Sequence, residues 1–237
     1  MAVDPYVTAI IPAAGKGQRM GGQQKQFRLL GNRPLFIQTL HVFDAHPHIR
    51  TMVVAAPPEA HGSIQEYTRQ ANFSTPIRIT TGGASRQQSV ENALKLAPAA
   101  TDVILVHDAV RPFIRLKDLS RIIEAILRYG AAALAIPEVD TLRRVTGDVF
   151  QDTVDRKGLY RMQTPQGALP DQLKQAFTWA QSHQYLATDE VALLQQAGFT
   201  VHYIPGTPYN IKITTPEDWE FASNFWPCWE KIRDLAP

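Results

Sequence analysis

Short, continuously apolar segments alternate with helical patterns up to Pro137, and this alternation limits the folds open to the chain. The predicted strands span residues 7–11, 51–56, 77–80, 102–106 and 131–136, and helical patterns cover 34–45, 59–71, 85–96 and 116–129. Strands that are apolar throughout are typical of parallel sheets whose two faces are both covered by helices. The sequence therefore predicts an α/β fold with a Rossmann-like, mostly parallel twisted sheet flanked by helices, in which residues 102–106 form a central strand.

The pattern changes after Pro137, where apolar and polar residues alternate on both sides of Gly147 and Asp148. This alternation predicts a two-stranded hairpin over residues 141–154 rather than another strand–helix unit. An isolated hairpin is marginally stable in water, so we expect it to dock on another surface, such as a second subunit.

The last third of the chain returns to mixed helices and strands. The sequence predicts an extended segment at 162–169, helices at 171–182, 189–197 and 216–225, and strands at 200–204 and 210–213. Thr188 and Thr215 are the predicted caps of the second and third of these helices. Because no repeat, low-complexity segment or linker interrupts the chain, we predict one domain over residues 1–237, with a protruding arm at about 138–160.

A glycine-rich basic loop follows the first strand and reads IIPAAGKGQRMGG from Ile10 to Gly22. Lys16, Arg19 and Lys25 bring three positive charges to it without a negative one. Glycines allow backbone N–H groups to approach an anion closely. The composition predicts a phosphate-binding loop at the end of a strand, with an ordinary glycine turn as the alternative.

Two common phosphate loops do not match this stretch. The dinucleotide pattern requires a third glycine where Met20 stands and an acidic residue about 20 positions on, and residues 33–36 contain no acid. The P-loop pattern requires a lysine after Gly17, where the chain has Gln18. The loop instead resembles the signature of the nucleotidyltransferases related to sugar-nucleotide pyrophosphorylases.

Composition excludes several classes of protein. The net charge of +2 gives no general attraction to nucleic acid or to a membrane surface. The single Cys228 excludes an internal disulfide and a cysteine metal cage. No apolar run approaches the roughly 18 residues that span a bilayer, and no signal peptide is visible, so the sequence predicts a cytoplasmic protein.

Two further polar groups follow predicted strands. Gly82–Ser89 opens a helix with backbone N–H groups and hydroxyls that could bind a base or a ribose, although Ser85 could equally serve as a helix cap. Asp108 ends the central strand and is the candidate ligand for Mg²⁺, which often binds one or two carboxylates together with substrate phosphates. The alternative for Asp108 is a simple ion pair with Arg111. Ligands of parallel sheets bind at the carboxyl ends of strands, where all these groups lie.

Taken in order, the motifs closely resemble those of the 2-C-methyl-D-erythritol 4-phosphate cytidylyltransferases of the non-mevalonate isoprenoid pathway. The matching motifs are the basic loop, Gly-Gly-x-x-Arg-x-x-Ser-Val, Val-His-Asp-Ala-x-Arg-Pro, Thr-Val-Asp-Arg, Thr-Pro-Gln and Asn-Ile-Lys-Ile-Thr. The resemblance runs from Ala9 to about Asp218. It implies a nucleotidyltransferase fold and the joining of CTP to methylerythritol phosphate, with Mg²⁺, to give CDP-methylerythritol and pyrophosphate.

The resemblance also implies roles for individual residues. Nucleotide binding would fall to Ala13, Ala14, Gly15, Gly83 and Ser89. Triphosphate binding would fall to Arg19 and Lys25, and metal binding to Asp108. Acceptor binding would fall to Asp108, Arg111, Thr141 and Lys212, with Arg156 reaching the partner's site in a homodimer through the hairpin. Arg19, Lys25, Arg156 and Lys212 would form the catalytic set.

The chain departs from the family pattern at two positions. Gln24 stands where the family usually has proline before the lysine, and Ala84 stands where it often has an acidic residue. Two other functions stay open on sequence alone: a cytidylyltransferase acting on ribitol 5-phosphate, and a nucleotide-binding module without turnover. Retention of Arg19, Lys25, Asp108 and Lys212 together argues against the module, because binding of a nucleotide alone would not need both phosphate sites.

Overall fold

The computed structural model describes residues 4–15 and 25–233, and Arg19 therefore lies outside the described residues. Its strands are β1 (Val7–Pro12), β2 (Leu29–Leu30), β3 (Arg33–Pro34), β4 (Ile49–Ala56), β5 (Ile77–Thr81), β6 (Val103–Val106), β7 (Ala131–Pro137), β8 (Leu142–Thr146), β9 (Val149–Val154), β10 (Tyr160–Ala168) and β11 (His202–Pro205). Its helices are α1 (Leu35–Asp44), α2 (His61–Ala71), α3 (Arg86–Leu94), α4 (Leu116–Tyr129), α5 (Pro170–Ser182), α6 (Glu190–Gln196) and α7 (Pro216–Ile232). Short 3₁₀ turns occupy Lys25–Phe27 and Pro58–Ala60.

The main sheet contains seven strands in the order β11-β7-β10-β6-β1-β4-β5. β1 is parallel to β4 and β6, β4 to β5, and β11 to β7. β10 is antiparallel to both of its neighbours, β6 and β7. The predicted mostly parallel sheet is therefore confirmed, and β6 is its central strand.

Helices cover both faces of this sheet, which explains why its strands are apolar throughout. Successive strand residues alternate between two cores: Ile11 and Leu105 pack on one side with Phe36, Phe43, Ile64 and Ile122. Ile10 and Ile104 pack on the other side with Val90, Leu173 and Leu193. Because both cores are built from apolar side chains, the carboxyl ends of β1, β5 and β6 are where polar groups can meet.

The chain after β7 forms the predicted hairpin. β8 and β9 pair with each other in a separate two-stranded sheet, and Gly147 adopts a positive φ of 63° at the turn. Large apolar side chains on it are exposed: Val145 by 54%, Val149 by 59% and Phe150 by 73%. Residues 138–160, here called the arm, therefore carry apolar surface that this chain does not bury.

Three sequence predictions need correction. The cap of α6 is Asp189, whose side chain accepts a hydrogen bond from the Ala192 N–H at 2.9 Å, and not Thr188. Residues 210–213 form a loop rather than a strand. The final helix does not end at residue 225 but continues to Ile232 through Pro227. An interior proline costs about 3 kcal/mol in a helix, and burial of Trp226 and Trp229 in a third core offsets that cost.

Among the described residues, no helix is both long and apolar enough to cross a bilayer.

Candidate active site

A cavity of about 640 Å³ lies at the carboxyl ends of β1 and β6, beside the turn that follows β5. It is lined by Pro12, Ala13, Ala14, Gly15, Lys25, Gln26, Gly83, Ala84, Ser85, Arg86, Ser89, Asp108, Ala109, Val110, Lys212 and Thr214. Segments far apart in sequence thus meet here, as the positions of the motifs predicted. The described lining residues include three cationic side chains, Lys25, Arg86 and Lys212, and one carboxylate, Asp108, so the cavity suits an anionic ligand.

The first wall is the end of β1, which is held in place by a buried glutamine. The Ala13 N–H donates to the Ala55 carbonyl at 2.7 Å, which continues the parallel pairing past the strand. The Gln26 side chain, 3% exposed, donates through Nε2 to the Ala13 carbonyl at 3.0 Å. Because Gln26 follows Lys25 in a 3₁₀ turn, this bond also fixes the backbone that carries Lys25.

The second wall is the turn between β5 and α3. Ser89 Oγ accepts from the Gly83 N–H at 2.9 Å and donates to the Ser85 carbonyl at 2.9 Å. Ser85 is the N-cap of α3 and accepts from the Gln88 N–H at 3.0 Å. The alternative interpretation of Ser85 as a helix cap is therefore confirmed, and the Ser89 hydroxyl shapes the turn as well as lining the cavity.

Gly82 brings this turn against the end of β1. A Cβ at Gly82 would lie 2.3 Å from the Ala14 Cβ, which is far inside contact distance. Ala84 also lines the cavity, and its N–H donates to Gln88 Oε1 at 2.8 Å. The close approach explains the glycine at position 82, and a Cβ at Gly83 would lie 2.4 Å from Gln88 Cγ.

The floor is Asp108, whose carboxylate binds three cations. Oδ2 lies 3.0 Å from Lys212 Nζ and 3.2 Å from Arg111 Nε, and Oδ1 lies 3.3 Å from Arg86 Nε. Burial by itself raises the pKa of Asp108, but Lys212, Arg86 and Arg111 outweigh burial and hold that pKa well below its usual range. The predicted ion pair with Arg111 is therefore present, but it is one of three ion pairs. Asp108 binds Arg86, Arg111 and Lys212 together rather than Arg111 alone.

Two residues that sequence analysis left without a role lie beside this centre. Arg86 forms a fork to Glu190, with Nη1 at 2.7 Å from Oε1 and Nη2 at 2.9 Å from Oε2. Arg86 belongs to the Gly-Gly-x-x-Arg motif, so the motif itself was the available signal. The segment of residues 188–190 was only a weak signal, and nothing local in the sequence indicated that Glu190 would contact Arg86, because the contact spans 104 residues. Gln26 was also missed, although it follows Lys25 directly.

His107, which sequence analysis left without chemistry, is a fully buried side chain. Its Nε2 lies 3.0 Å from the Arg111 carbonyl and its Nδ1 lies 3.0 Å from Thr164 Oγ1. Burial lowers the pKa of His107 to about 4, so the ring is neutral at physiological pH. It shapes the loop that carries Asp108 and Arg111.

Three predicted site residues do not join the cavity lining. Arg111 points from Asp108 towards the loop before α7, where its Nη1 donates to the Asn210 carbonyl at 2.7 Å. Thr141 and Arg156 lie on the arm, and Arg156 donates to the Val139 carbonyl within it. The eight other described site residues, Ala13, Ala14, Gly15, Lys25, Gly83, Ser89, Asp108 and Lys212, all line the cavity.

The described residues of the cavity could hold Mg²⁺ only together with a bound substrate, because they offer a single carboxylate. Within residues 4–15 and 25–233, no group of three or more histidine, cysteine or acidic side chains forms a metal cage. Asp108 supplies one carboxylate, and three cations already surround it. Mg²⁺ commonly keeps several waters and binds one or two carboxylates plus substrate phosphates. The residues therefore suit a metal that arrives with a polyphosphate.

Comparisons with known proteins agree with this geometry. The sequence model of the family "IspD: 2-C-methyl-D-erythritol 4-phosphate cytidylyltransferase" matches residues 7–226. The 2-C-methyl-D-erythritol 4-phosphate cytidylyltransferase of Salinibacter ruber is 43% identical over 223 residues, covering 94% of each chain. That of Acidobacterium capsulatum is 40% identical over 228 residues, covering 92% of this chain and 95% of its own.

A solved structure from the same family has a similar fold. The crystal structure of the enzyme of that name from Thermus thermophilus superposes with a TM-score of 0.79 at 32% identity, covering 92% of this chain and 97% of its own. The family's sequence model, which matches residues 7–226, includes the strands of the sheet and the residues of the arm. The chain belongs to the 2-C-methyl-D-erythritol 4-phosphate cytidylyltransferase family of nucleotidyltransferases.

Proposed function

We propose that this chain joins CTP and 2-C-methyl-D-erythritol 4-phosphate in the described cavity, giving CDP-methylerythritol and pyrophosphate. The observation that carries the proposal is the meeting of Lys25, Arg86 and Lys212 with Asp108 at the strand ends, in a chain of this family. Two anionic substrates have to be held side by side for this reaction, and a cavity with excess positive charge lowers their repulsion.

The chemistry requires alignment more than acid–base assistance. A phosphate monoester has a second pKa of about 6, so the acceptor is already an anionic nucleophile at neutral pH. An acceptor phosphate oxygen attacks the α-phosphorus of CTP, the bond to the bridging oxygen on the β side breaks, and pyrophosphate leaves with that electron pair. The protein has to hold the two oxygens in line and to neutralise the charge that develops.

Each wall of the cavity has a part in this arrangement. Ala13, Ala14, Gly15, Gly83 and Ser89 hold the nucleotide, and Arg19 and Lys25 hold its triphosphate. Lys212, oriented by Asp108 at 3.0 Å, faces the acceptor phosphate, and Arg111 braces Asp108 from behind. The resemblance to the family supports this division. Ala13, Gly15 and Gly83 belong to the segments that follow β1 and β5, whereas Lys212 and Thr214 belong to the loop before α7, and all of them line the cavity.

Mg²⁺ is part of the proposal, with Asp108 as its protein ligand beside the substrate phosphates. When bound, the metal neutralises phosphate charge. Because Asp108 is already surrounded by cations, we expect calorimetric titration with Mg²⁺ alone to give no binding at millimolar concentration, and titration in the presence of CTP to give binding that Asp108→Asn weakens. Tight Mg²⁺ binding without nucleotide would contradict this role for Asp108.

The chain acts as a homodimer in this proposal, with the arm of one copy completing the site of the other. Thr141 and Arg156 lie outside the cavity of their own chain, and a hairpin of two strands is marginally stable alone. Exposed Val145, Val149 and Phe150 give the arm an apolar surface to bury against a second copy. A cytoplasmic location also belongs to the proposal and rests on the ordinary composition and the single cysteine.

The deciding experiment is pyrophosphate release from CTP and Mg²⁺ with methylerythritol 4-phosphate or ribitol 5-phosphate as acceptor. We expect release with methylerythritol 4-phosphate. Release with ribitol 5-phosphate alone would preserve the nucleotide site and the mechanism but replace the acceptor. Nucleotide binding without release from either acceptor would favour the binding module instead.

A further inference from the structure

Arg86, which lines the cavity, forms a partly buried ion pair with Glu190, which lies outside the cavity lining. Arg86 is the first residue of α3, directly after the nucleotide-side turn, and Glu190 is the first residue of α6. The fork between them is bidentate at 2.7 and 2.9 Å, and the Glu190 side chain is 2% exposed. The third nitrogen of the same guanidinium, Nε, contacts Asp108 Oδ1 at 3.3 Å.

The Arg86 guanidinium therefore spans two carboxylates with different surroundings. On one side Asp108 binds Lys212, which belongs to the acceptor side of the cavity. On the other side Glu190 holds the guanidinium from behind. A planar guanidinium presents fixed N–H directions and can serve both carboxylates at once, which a lysine ammonium cannot do in this geometry.

The position of Glu190 is itself imposed by the surrounding fold. Gln166, on β10, donates through Nε2 to Asp189 Oδ2 at 3.0 Å and accepts from the Val191 N–H at 3.1 Å. Next to Arg86, Gln87 accepts from the Ala187 N–H at 2.7 Å. The start of α6 is thus bonded to both the central sheet and α3, so Glu190 forms a rigid anchor for Arg86.

We infer that Arg86 and Glu190 are positioning residues that set the distance between the nucleotide turn and the Asp108–Lys212 pair, and so align the two substrates for in-line attack. The inference rests on the proposed function, because it assigns the two sides of the cavity to CTP and to the acceptor phosphate. Without Glu190, the freed guanidinium would compete with Lys212 for Asp108 or for a substrate phosphate.

Glu190→Gln and Arg86→Lys test the inference, because each keeps the approximate size of its side chain and removes the fork. A misplacement of about 1 Å can cost on the order of 10²-fold in rate. We therefore expect kcat to fall about 10–100-fold in both variants, while the KM values for CTP and for methylerythritol phosphate change by less than about threefold.

The matched control is the Arg115–Asp118 pair, which is also bidentate, through Nε and Nη2 of Arg115, and lies away from the cavity. Its distances are 2.7 and 2.9 Å, and Asp118 is fully buried. Asp118→Asn should lower the thermal midpoint as Glu190→Gln does, but should leave kcat within about twofold of the wild type. Arg86→Lys supplies the kinetic result if Glu190→Gln does not fold.

The outcomes are separable. An equal loss of stability in Glu190→Gln and Asp118→Asn, with kcat preserved in both, would show that the Arg86–Glu190 pair is merely structural and would overturn the inference. A wild-type chain that releases no pyrophosphate with either acceptor would instead overturn the proposed function, and the inference with it.

Discussion

At the scale of single residues, charge around Asp108 governs the site. One carboxylate contacts Lys212, Arg86 and Arg111, and two of these cations have further partners in Glu190 and the Asn210 carbonyl. Lys212 is the most exposed of the three, with 40% of its side chain accessible. Of these three cations, it is therefore the one most accessible to a substrate phosphate.

Lys212→Ala is expected to lower kcat by about 10²–10³, by analogy with the loss of one preorganised oxyanion donor. The fold should survive, because Asp108 keeps Arg86 and Arg111 as partners. Steady-state pyrophosphate release measures the rate, and the thermal midpoint checks the fold. Lys174→Ala is the control, since Lys174 is an exposed lysine of α5 that pairs with Asp171 at 3.3 Å. Near-normal turnover of Lys212→Ala would exclude the proposed role.

A buried histidine away from the site should make stability depend on pH. His46 is 3% exposed, its Nδ1 accepts from the His48 N–H at 3.3 Å, and its Nε2 lies 3.0 Å from Ser120 Oγ. Burial, with a smaller effect from His48, lowers the pKa of His46 to about 4.

The unfolded chain therefore binds more protons than the folded chain between pH 6.5 and about 4, and stability falls as the pH is lowered through that window. His46→Gln should reduce the slope of unfolding free energy against pH there. Urea unfolding of the wild type and of His46→Gln between pH 7 and pH 5 measures this slope. An unchanged slope in His46→Gln would show that the ring titrates as in the unfolded chain.

At the scale of elements, two turns decide the shape of the nucleotide side. The turn after β5 approaches the end of β1 at Gly82, and the turn at Lys25 is bonded to the same strand end through Gln26. Neither contact is local in sequence. The nucleotide wall is therefore a product of how these elements pack, and small changes in side-chain volume there should disturb it.

Gly82→Ala should lower kcat/KM for CTP by about 10², because displacement by about 1 Å can have that effect. The new Cβ would lie 2.3 Å from the Ala14 Cβ, so the strand end has to move. Gly62→Ala is the matched control, since no atom lies within 4 Å of its new Cβ. That change, within α2, should raise the free energy of unfolding by up to about 1 kcal/mol and leave the kinetics unaltered. Equal kinetics in both variants would argue against a tight contact at Gly82.

At the scale of the whole molecule, the arm is the part that this chain alone leaves unexplained. Its apolar side chains are exposed, and Thr141 and Arg156 lie outside the cavity. A second copy would bury the apolar side chains, and Thr141 and Arg156 of one copy would then complete the cavity of the other. The exposed hairpin therefore leads to a testable prediction, namely that the protein forms a homodimer through the arm.

Phe150→Glu is expected to shift the protein from dimer to monomer and to lower turnover, because it places a charge in a surface that the dimer would bury. Light scattering coupled to size-exclusion chromatography measures the mass. Phe221→Glu on α7, where the phenylalanine is 50% exposed, is the control and should change neither mass nor turnover. A wild-type monomer with full activity would refute the proposed role of the arm.

Local patterns were sufficient for much of this protein. Continuous apolar runs predicted the parallel strands and the central place of β6, because a strand buried on both faces has no polar side. The alternation around Gly147 predicted the hairpin, and the motif order identified the family that the comparisons confirmed. The backbone of the cavity could also be anticipated, since the carboxyl ends of parallel strands meet at one edge of a sheet.

Tertiary structure decided what depends on contacts between distant segments. No local pattern indicated that Glu190 would meet Arg86 or that Asp108 would bind three cations at once, because these contacts bridge up to 104 residues. The length of α7 was also underestimated, since Pro227 disfavours a helix locally and only burial of Trp226 and Trp229 offsets that cost. The spacing of apolar residues shows which side chains each segment will bury. The ion pairs of the site depend instead on which distant segments the folded chain brings together.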